Sequence, residues 1–331
     1  SDVCSSDLSG GLDSILAAKL IRDQGIEVTG LCFKSAFFGS RNAEIMAEQI
    51  GVPLVVLNFT EEHLDMTKKP KHGYGKNMNP CIDCHAMMLN YAGKYMEEHG
   101  YDFIITGEVL NQRPMSQNMK SLDIVKKESG YEDKILRPLS ALKLSPTEME
   151  LSGMVDRTKL QGISGRSRKP QMELAKKMGI VEYPSPAGGC RLTEPNFANR
   201  LKDLYKHDKE KAEPHDIKLL NLGRHFRFTN KSKAISTRTE EEYNALKELI
   251  TDDMWVFDTA EHKGSTVVLK TSPDYQPEKD EIYLAASIAA RYSKGKDEPQ
   301  VSVKYKKHKN NEYKYIDVKP ANDEELKNYM I

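Results

Sequence analysis

Along the first half of the chain, the spacing of the apolar residues switches between two patterns, one typical of buried strands and one typical of helices. Apolar runs typical of buried strands are found at 25–33, 53–59 and 101–107. Segments with helical spacing are found at 12–21, 43–51 and 86–100. Strands that alternate with helices indicate βαβ units and a parallel sheet, and such a sheet binds ligands at the carboxyl ends of its strands.

The pattern changes after a charged, helical segment at 196–215, which we interpret as a linker between a first domain, 1–195, and a second, 216–331. Strands, two of them forming a hairpin, are predicted at 219–228, 233–237, 266–270 and 301–305. Helices are predicted at 240–250 and 282–293. The predicted fold class is therefore α/β, with a parallel doubly wound sheet, followed by a smaller α+β domain.

The first eight residues do not fit this pattern. A buried strand should precede the first glycine-rich turn, but Ser1–Leu8 is not an apolar run. Asp2–Leu8 can be back-translated into the end of a common DNA-sequencing adaptor. We therefore interpret residues 1–8 as not native, expect the central first strand to be missing, and assign Cys4 no function.

Composition narrows the class of protein. A length of 331 residues is sufficient for two domains, and 49 basic residues balance 49 acidic ones. The sequence has neither a leader segment nor an apolar run of the roughly 18 residues that a membrane span needs, so we expect no membrane partner and a cytoplasmic location. In that compartment the five cysteines should be reduced, metal-bound or catalytic.

A glycine-rich turn, Ser9-Gly10-Gly11-Leu12-Asp13-Ser14, leads directly into the first helix. Two glycines allow a sharp turn and a close approach to a ligand, and the N–H groups and dipole of a helix start bind anions. The two serines could add hydroxyl donors to a phosphate. Asp13 and Glu108 are candidate Mg²⁺ carboxylates; alternatively, Asp13 only caps the helix and Glu108 only braces its loop.

Three cysteines form the second candidate site. Cys81 and Cys84 lie at a helix start, which favours thiolates, and Cys190 lies in the Pro/Gly-rich loop 184–192. Three thiols from two loops could hold a [4Fe–4S] cluster with one open iron, or could act as nucleophile and persulfide carrier.

The glycine-rich turn resembles the SGGxDS signature of the PP-loop ATP pyrophosphatases, which have an adenine nucleotide alpha hydrolase-like fold. Together with Asn79-Pro80-Cys81-x-x-Cys84 and the later Cys190, it is similar to the tRNA thiouridine synthases. The resemblance implies that ATP and Mg²⁺ adenylate a uridine, that sulfur then replaces its carbonyl oxygen, and that AMP and pyrophosphate are released. The phosphates would lie on Ser9, Gly10, Gly11, Asp13 and Ser14. Cys81, Cys84 and Cys190 would deliver the sulfur, and the presence of all three favours the cluster. The implied partners are tRNA and a sulfur donor, either sulfide or a persulfide-carrying protein.

Basic residues are concentrated in the loop before 170 and in the second domain, where tyrosines accompany them. Lys and Arg neutralise RNA phosphates and aromatic rings stack on unpaired bases, so we predict RNA contact by Arg166, Arg168, Lys169, Arg224, Arg227, Arg291 and Lys294. Segments 223–227 and 285–294 resemble the NFACT-R RNA-binding domain, a likeness that covers 216–310.

Two other functions fit the same loop. One is a PP-loop ligase or amidotransferase that acts on a small molecule, and the other is a non-enzymatic RNA-binding protein with a degenerate ATP loop. Turnover of ATP to AMP would exclude the second, and RNA dependence of that turnover would separate the sulfurtransferase from the first.

Overall fold

The chain divides into two compact units, residues 1–193 and 194–331. This computed structural model describes residues 2–5, 10–183 and 190–331.

The first unit is built on a five-stranded parallel sheet with strand order β3-β2-β1-β4-β5. Its strands are β1 (Asp2–Ser5), β2 (Glu27–Lys34), β3 (Leu54–Asn58), β4 (Phe103–Ile105) and β5 (Ile135–Leu136). The chain adds β2 and β3 on one side of β1, and then β4 and β5 on the other. The carboxyl ends of β1 and β4 therefore form the topological switch point at which such sheets bind ligands.

Most helices of this unit pack apolar residues against the sheet, and the last of them packs against the first. They are α1 (Leu12–Arg22), α2 (Arg41–Ile50), α3 (Thr60–Lys68), α4 (Cys81–His99), α5 (Met119–Glu128), α6 (Glu148–Leu151) and α7 (Lys169–Lys177). Helix α4 begins earlier than the apolar spacing predicts, so that Cys81 and Cys84 both lie in its first turns.

The expectation that residues 1–8 supply no strand is wrong. Asp2–Ser5 forms β1 in the centre of the sheet, paired in parallel with β2 and β4, and Val3 is fully buried. Two neighbouring strands satisfy the backbone hydrogen bonds of β1, so the segment needs only one apolar side chain in the core. The proposed origin of residues 1–8 stays a prediction.

The second unit contains a six-stranded antiparallel sheet with order β11-β10-β8-β9-β7-β6. Its strands are β6 (Arg224–Thr229), β7 (Ser232–Ser236), β8 (Trp255–Thr259), β9 (Val267–Thr271), β10 (Val301–Lys307) and β11 (Lys314–Val318). Its helices are α8 (Pro195–Asp208), α9 (Pro214–Leu219), α10 (Glu240–Lys247), α11 (Lys279–Arg291) and α12 (Asp323–Lys327). The predicted fold class, a parallel α/β sheet followed by an α+β domain, is confirmed.

Two cores form on opposite faces of this antiparallel sheet. Helix α11 packs on one face, against Phe257, Val267 and Val303. Leu219 of α9 and Leu246 of α10 pack on the other face, against Ile235 and Val268. The charged segment 196–215 falls within α8, α9 and the turn between them, inside this second unit.

Among the described residues, no helix combines the length and apolar character that crossing a bilayer requires.

Candidate active site

The glycine-rich turn meets the start of α1 with no room for side chains. Gly10 has φ +79°, and a Cβ there would lie 2.4 Å from the backbone carbon of Asn42. Gly11 is the N-cap of α1 and offers no side-chain acceptor, so the first N–H groups of the helix are left for another partner. Such a helix start suits an anion, as predicted for Gly10 and Gly11. Ser9 lies outside the described residues.

The carboxyl end of β4 packs directly against the first turn of α1. A Cβ at Gly107 would lie 2.5 Å from the backbone nitrogen of Ser14, so only glycine allows this approach. Ser14 is buried, and its hydroxyl donates to the carbonyl of Gly11 at 2.9 Å. The prediction that the Ser14 hydroxyl donates to a phosphate therefore does not fit this arrangement, because the proton is already given to the helix start.

Asp13 projects from the first turn of α1 into a polar cluster. Its Oδ2 accepts a hydrogen bond from Gln112 Nε2 at 2.7 Å, and Gln112 Oε1 accepts one from Gln171 Nε2 at 2.8 Å. Asp13 Oδ1 is buried and accepts no hydrogen bond from the described residues. A buried carboxylate oxygen without a donor fits a hard cation, so Asp13 is suited to Mg²⁺.

Arg168 belongs to this cluster and not to an open RNA-binding loop. An Nη of Arg168 lies 3.7 Å from Asp13 Oδ1, and its Nε is buried without a hydrogen-bond partner among the described residues. Arg168 reaches this place because it caps α7, which packs on α1 through Ala175 and other apolar residues. Arg166 and Lys169 are exposed, so their predicted RNA contacts stay predictions.

Glu108 braces the loop after β4. It is buried, Arg137 Nε donates to its Oε2 at 2.8 Å, and His85 Nδ1 lies 3.0 Å from its Oε1. Burial alone would raise the pKa of Glu108, but the Arg137 charge and the His85 hydrogen bond outweigh it and lower that pKa to about 2. Both oxygens are occupied, so the alternative role of Glu108 as a brace fits and the Mg²⁺ role does not.

The two thiols at the start of α4 have different surroundings. Cys81 is partly exposed, and its sulfur donates to Asn79 Oδ1 at 2.9 Å. Burial raises the pKa of the Cys81 thiol, against smaller opposing effects of Asn79, Arg113 and Ser116. Cys81 is therefore held mainly as a thiol near neutral pH.

Cys84 points into the core, where its sulfur lies 3.3 Å from His63 Nε2. The His63 ring stacks on Phe59 at 4.9 Å and meets the edge of Phe37 at 5.3 Å. Burial lowers the pKa of His63 to about 4, so the imidazole is neutral near pH 7 and is only a weak base toward the thiol. No pattern in the sequence pointed to His63.

Cys190 is held beside the loop that leads to Cys81. Asn77 Nδ2 donates to the carbonyl of Thr193 at 2.7 Å, and the Met78 nitrogen donates to the carbonyl of Leu192 at 3.3 Å. The loop residues 184–189 lie outside the described residues.

The thiols do not fit the predicted [4Fe–4S] site. Within residues 2–5, 10–183 and 190–331, no three His, Cys, Asp or Glu side chains are grouped as metal ligands. Cys84 is turned toward His63 while Cys81 is turned toward Asn79. The alternative, in which cysteines act as nucleophile and persulfide carrier, stays a prediction.

Two of the four arginines and lysines predicted to bind RNA in the second unit are engaged by carboxylates. Arg227 binds Asp203 through two nitrogens, and Arg291 binds Asp323 in the same way at 2.7 and 3.1 Å. Their predicted RNA role does not fit these pairs. Arg224 stacks 4.3 Å above the Tyr292 ring, and Lys294 is exposed, so both stay available.

Comparison with known proteins divides the chain in a similar way. Residues 3–145 match the family described as thiamine biosynthesis protein (ThiI), and residues 223–330 match the NFACT protein RNA binding domain. A tRNA-specific 2-thiouridylase MnmA of Marinobacter nauticus is 27% identical over 219 residues, which are 59% of this chain and 52% of that protein. An MnmA of Clostridioides difficile is 26% identical over 241 residues, 66% of this chain and 63% of that protein.

The chain thus spans less than two thirds of the length of these curated relatives. Among solved structures, a complex of a 4-thiouridine synthetase with RNA and bound ATP aligns with a TM-score of 0.34 and 17% identity, over 54% of this chain and 51% of that one. The first part of the chain is therefore similar to the ThiI family and the second part to the NFACT protein RNA binding domain.

Proposed function

We propose that this protein is an ATP-dependent tRNA sulfurtransferase that converts a uridine to a thiouridine. The observation that carries the proposal is Asp13 Oδ1, a buried carboxylate oxygen that accepts no hydrogen bond from the described residues. It lies at a helix start without a side-chain cap, on the switch point of a parallel sheet. The similarity to tRNA 2-thiouridylases and the RNA-binding domain support tRNA as the substrate.

In the first step the uridine carbonyl oxygen attacks the α-phosphorus of ATP, pyrophosphate leaves, and the base becomes an adenylate. The first N–H groups of α1 and the glycine backbone would hold the phosphates. Asp13 would hold Mg²⁺, which neutralises phosphate charge when bound. Arg168, one nitrogen of which has no hydrogen-bond partner among the described residues, would add a second positive charge. Catalysis at this stage is mainly positioning and electrostatic.

In the second step Cys84 and Cys190 would transfer the sulfur. One of them receives the outer sulfur of a persulfide-carrying donor protein, whose own cysteine leaves as a thiol. The terminal sulfur of the resulting persulfide attacks the activated carbon and displaces AMP. The thiolate of the other cysteine then attacks the Sγ of the cysteine that carried the persulfide, which is still bonded to the sulfur now on the uridine. A disulfide forms, the thiouridine is released, and an external thiol must reduce the disulfide before the next turnover. His63 would hold the Cys84 sulfur in position through its Nε2, which lies 3.3 Å from that sulfur.

Single cysteine variants test the sulfur route. Purified protein would be incubated with unmodified tRNA, ATP, Mg²⁺, a persulfide donor and a thiol reductant, with inorganic sulfide replacing the persulfide donor in a separate reaction. Nucleosides would be analysed by mass spectrometry, and pyrophosphate, the product of the first step, measured in parallel. We expect Cys84→Ala and Cys190→Ala to keep pyrophosphate release and lose thiouridine, while Cys81→Ala keeps both.

Two results would contradict parts of this proposal. Loss of thiouridine in all three cysteine variants, together with a requirement for iron, would overturn the persulfide route. AMP formation that does not depend on tRNA would point to a ligase or amidotransferase acting on a small molecule.

A further inference from the structure

Four side chains form an exposed surface on the second sheet, which we call the β10–β11 platform: Lys304, Lys306, Tyr313 and Tyr315. Lys304 and Lys306 alternate along β10 with Val303 and Tyr305, which belong to the core under α11. The two lysines therefore share the opposite face. Tyr315 lies directly across from Lys304 in the antiparallel pair, and Tyr313 precedes it by two positions.

The platform combines positive charge with accessible aromatic rings. Lys304 Nζ lies 5.3 Å and Lys306 Nζ 4.8 Å from the centre of the Tyr313 ring. Tyr313 is 40% and Tyr315 65% exposed, so the described chain leaves both rings open to a partner. Helices α9 and α10 cover this face farther along, where Leu246 packs on Val268.

The charges of the platform are free to meet a partner. Neither Lys304 nor Lys306 is within 4.0 Å of a carboxylate oxygen in the part of the chain that the structure describes. The acidic residues of this face lie in register with β10: Asp258 is opposite Lys304 and accepts from Thr266 Oγ1 at 2.6 Å, and Asp317 is opposite Ser302. The positive charge of the platform is therefore concentrated at the end that holds Lys306 and Tyr313.

We infer that the β10–β11 platform binds an unpaired segment of the tRNA substrate, with a base stacked on Tyr315 or Tyr313 and the adjacent phosphates on Lys304 and Lys306. Single-stranded RNA is bound by this combination, since every base has a face that stacks on an aromatic ring and each phosphate attracts a lysine. Arg227 and Arg291 are engaged by carboxylates, whereas Lys304 and Lys306 have no carboxylate oxygen within 4.0 Å among the described residues, so the platform offers charge that these two arginines do not. The identity of the RNA as tRNA rests on the proposed function.

Binding of fluorescently labelled unmodified tRNA to the full chain tests the inference. Fluorescence anisotropy would be measured over a series of salt concentrations for Lys304→Ala/Lys306→Ala and for Tyr315→Ala. We expect the slope of log Kd against log salt to fall by roughly 0.7 per lysine removed. Tyr315→Ala should weaken binding by about 5- to 150-fold, the effect of removing one base-stacking ring.

Matched controls lie on α10 of the same unit. Tyr243 is 39% exposed and Lys247 is also exposed, so Tyr243→Ala and Lys247→Ala should bind tRNA like the unaltered protein. A perfectly paired RNA duplex, used as competitor, should displace the tRNA less well than a single-stranded oligonucleotide of the same length. Equal affinity in the platform variants and the controls, or equal competition by the duplex, would overturn the inference.

The two proposals fail in different ways. If the unaltered protein binds tRNA but makes no thiouridine, and the platform variants still lose affinity, the sulfurtransferase proposal fails and the platform stands. If thiouridine forms and the platform variants bind tRNA normally, only the platform is wrong. When both proposals hold, the lysine variant should raise KM for tRNA and leave kcat unchanged.

Discussion

His63 lies wholly inside the first unit, between aromatic rings, with one ring nitrogen against the sulfur of Cys84. With a pKa of about 4 this imidazole is a weak base, so we expect it to hold the Cys84 sulfur in position. We predict that His63→Phe, which keeps an aromatic ring, leaves pyrophosphate release intact and slows thiouridine formation by up to about 10²-fold, the effect of misplacing a reacting group by about 1 Å. Both products can be followed in single-turnover reactions.

His99→Phe provides the control for this prediction. His99 stacks on Tyr95 at 3.9 Å near the end of α4, so it offers the same substitution in an aromatic contact away from the thiols. Thiolation at an unaltered rate in His63→Phe would mean that the histidine only packs. Thiolation that stays slow at higher pH, where hydroxide ionises Cys84 directly, would support the positioning role, whereas restored thiolation would show that His63 acts as a base.

At the scale of elements, the close approach of β4 to α1 depends on Gly107. A methyl group there would lie 2.5 Å from the Ser14 nitrogen, against backbone that cannot rotate away. Gly107→Ala must therefore push the start of α1 away from the strand, and a displacement of about 1 Å can cost on the order of 10²-fold in rate. We predict this loss in AMP formation, measured with saturating tRNA.

Gly39→Ala is the matched control, because a Cβ at Gly39 meets nothing within 4 Å. Circular dichroism melting of both variants would show whether Gly107→Ala still folds at the assay temperature. A folded Gly107→Ala variant with unaltered AMP formation would contradict the placement of the phosphates at the start of α1.

In the first unit, the elements that could be predicted from the sequence are those whose apolar residues recur with a clear period. The apolar runs at 25–33 and 53–59 and the helical spacing at 12–21 correspond to β2, β3 and α1. Strand β1 carries no such signal because it is not an apolar run. Hydrogen bonds to strands on both sides hold it in the sheet, and Val3 packs in the core.

The candidate site was predictable only where local sequence specifies local geometry. The glycine-rich turn sets its own backbone, so Asp13 could be proposed from the sequence. The partners of Asp13 are about 100 to 160 positions away in the chain, and only the packing of α7 on α1 brings Arg168 and Gln171 to it. His63 was missed for the same reason, since its helix is mostly polar and only the fold encloses it in aromatic rings.

At the scale of the whole molecule, the two units have separate cores, and their stabilities should respond separately to mutation. Lys233 gives a means to test this in the second unit. It is 4% exposed on β7, between Arg227 of β6 and Lys270 of β9. Burial, followed by the charges of these two neighbours, lowers the pKa of Lys233 to about 8 from 10.5.

Below pH 8 Lys233 is charged in both states, and burial disfavours the charged form in the folded state. Lys233 therefore lowers the free energy of unfolding in this pH range. Between pH 8 and 10.5 the unfolded chain binds more protons, so stability rises with pH through this window. We predict that Lys233→Met raises the free energy of unfolding at pH 7 by on the order of 3 kcal/mol, and that the gain disappears above about pH 10. Trp255, the single tryptophan of the chain, lies on β8 and reports the unfolding of this unit by fluorescence in guanidinium.

Lys247→Met, an exposed substitution on α10, should leave this transition unmoved at either pH. Far-ultraviolet circular dichroism records both units, so in Lys233→Met only the part of the curve that coincides with the Trp255 signal should move to higher denaturant. A lower midpoint of the Trp255 transition at pH 7 would mean that attraction to Asp216 and Asp203 outweighs the burial of Lys233. A shift of the whole curve would mean that the two cores unfold in one cooperative transition, since only then does a substitution in one unit change the unfolding of the other.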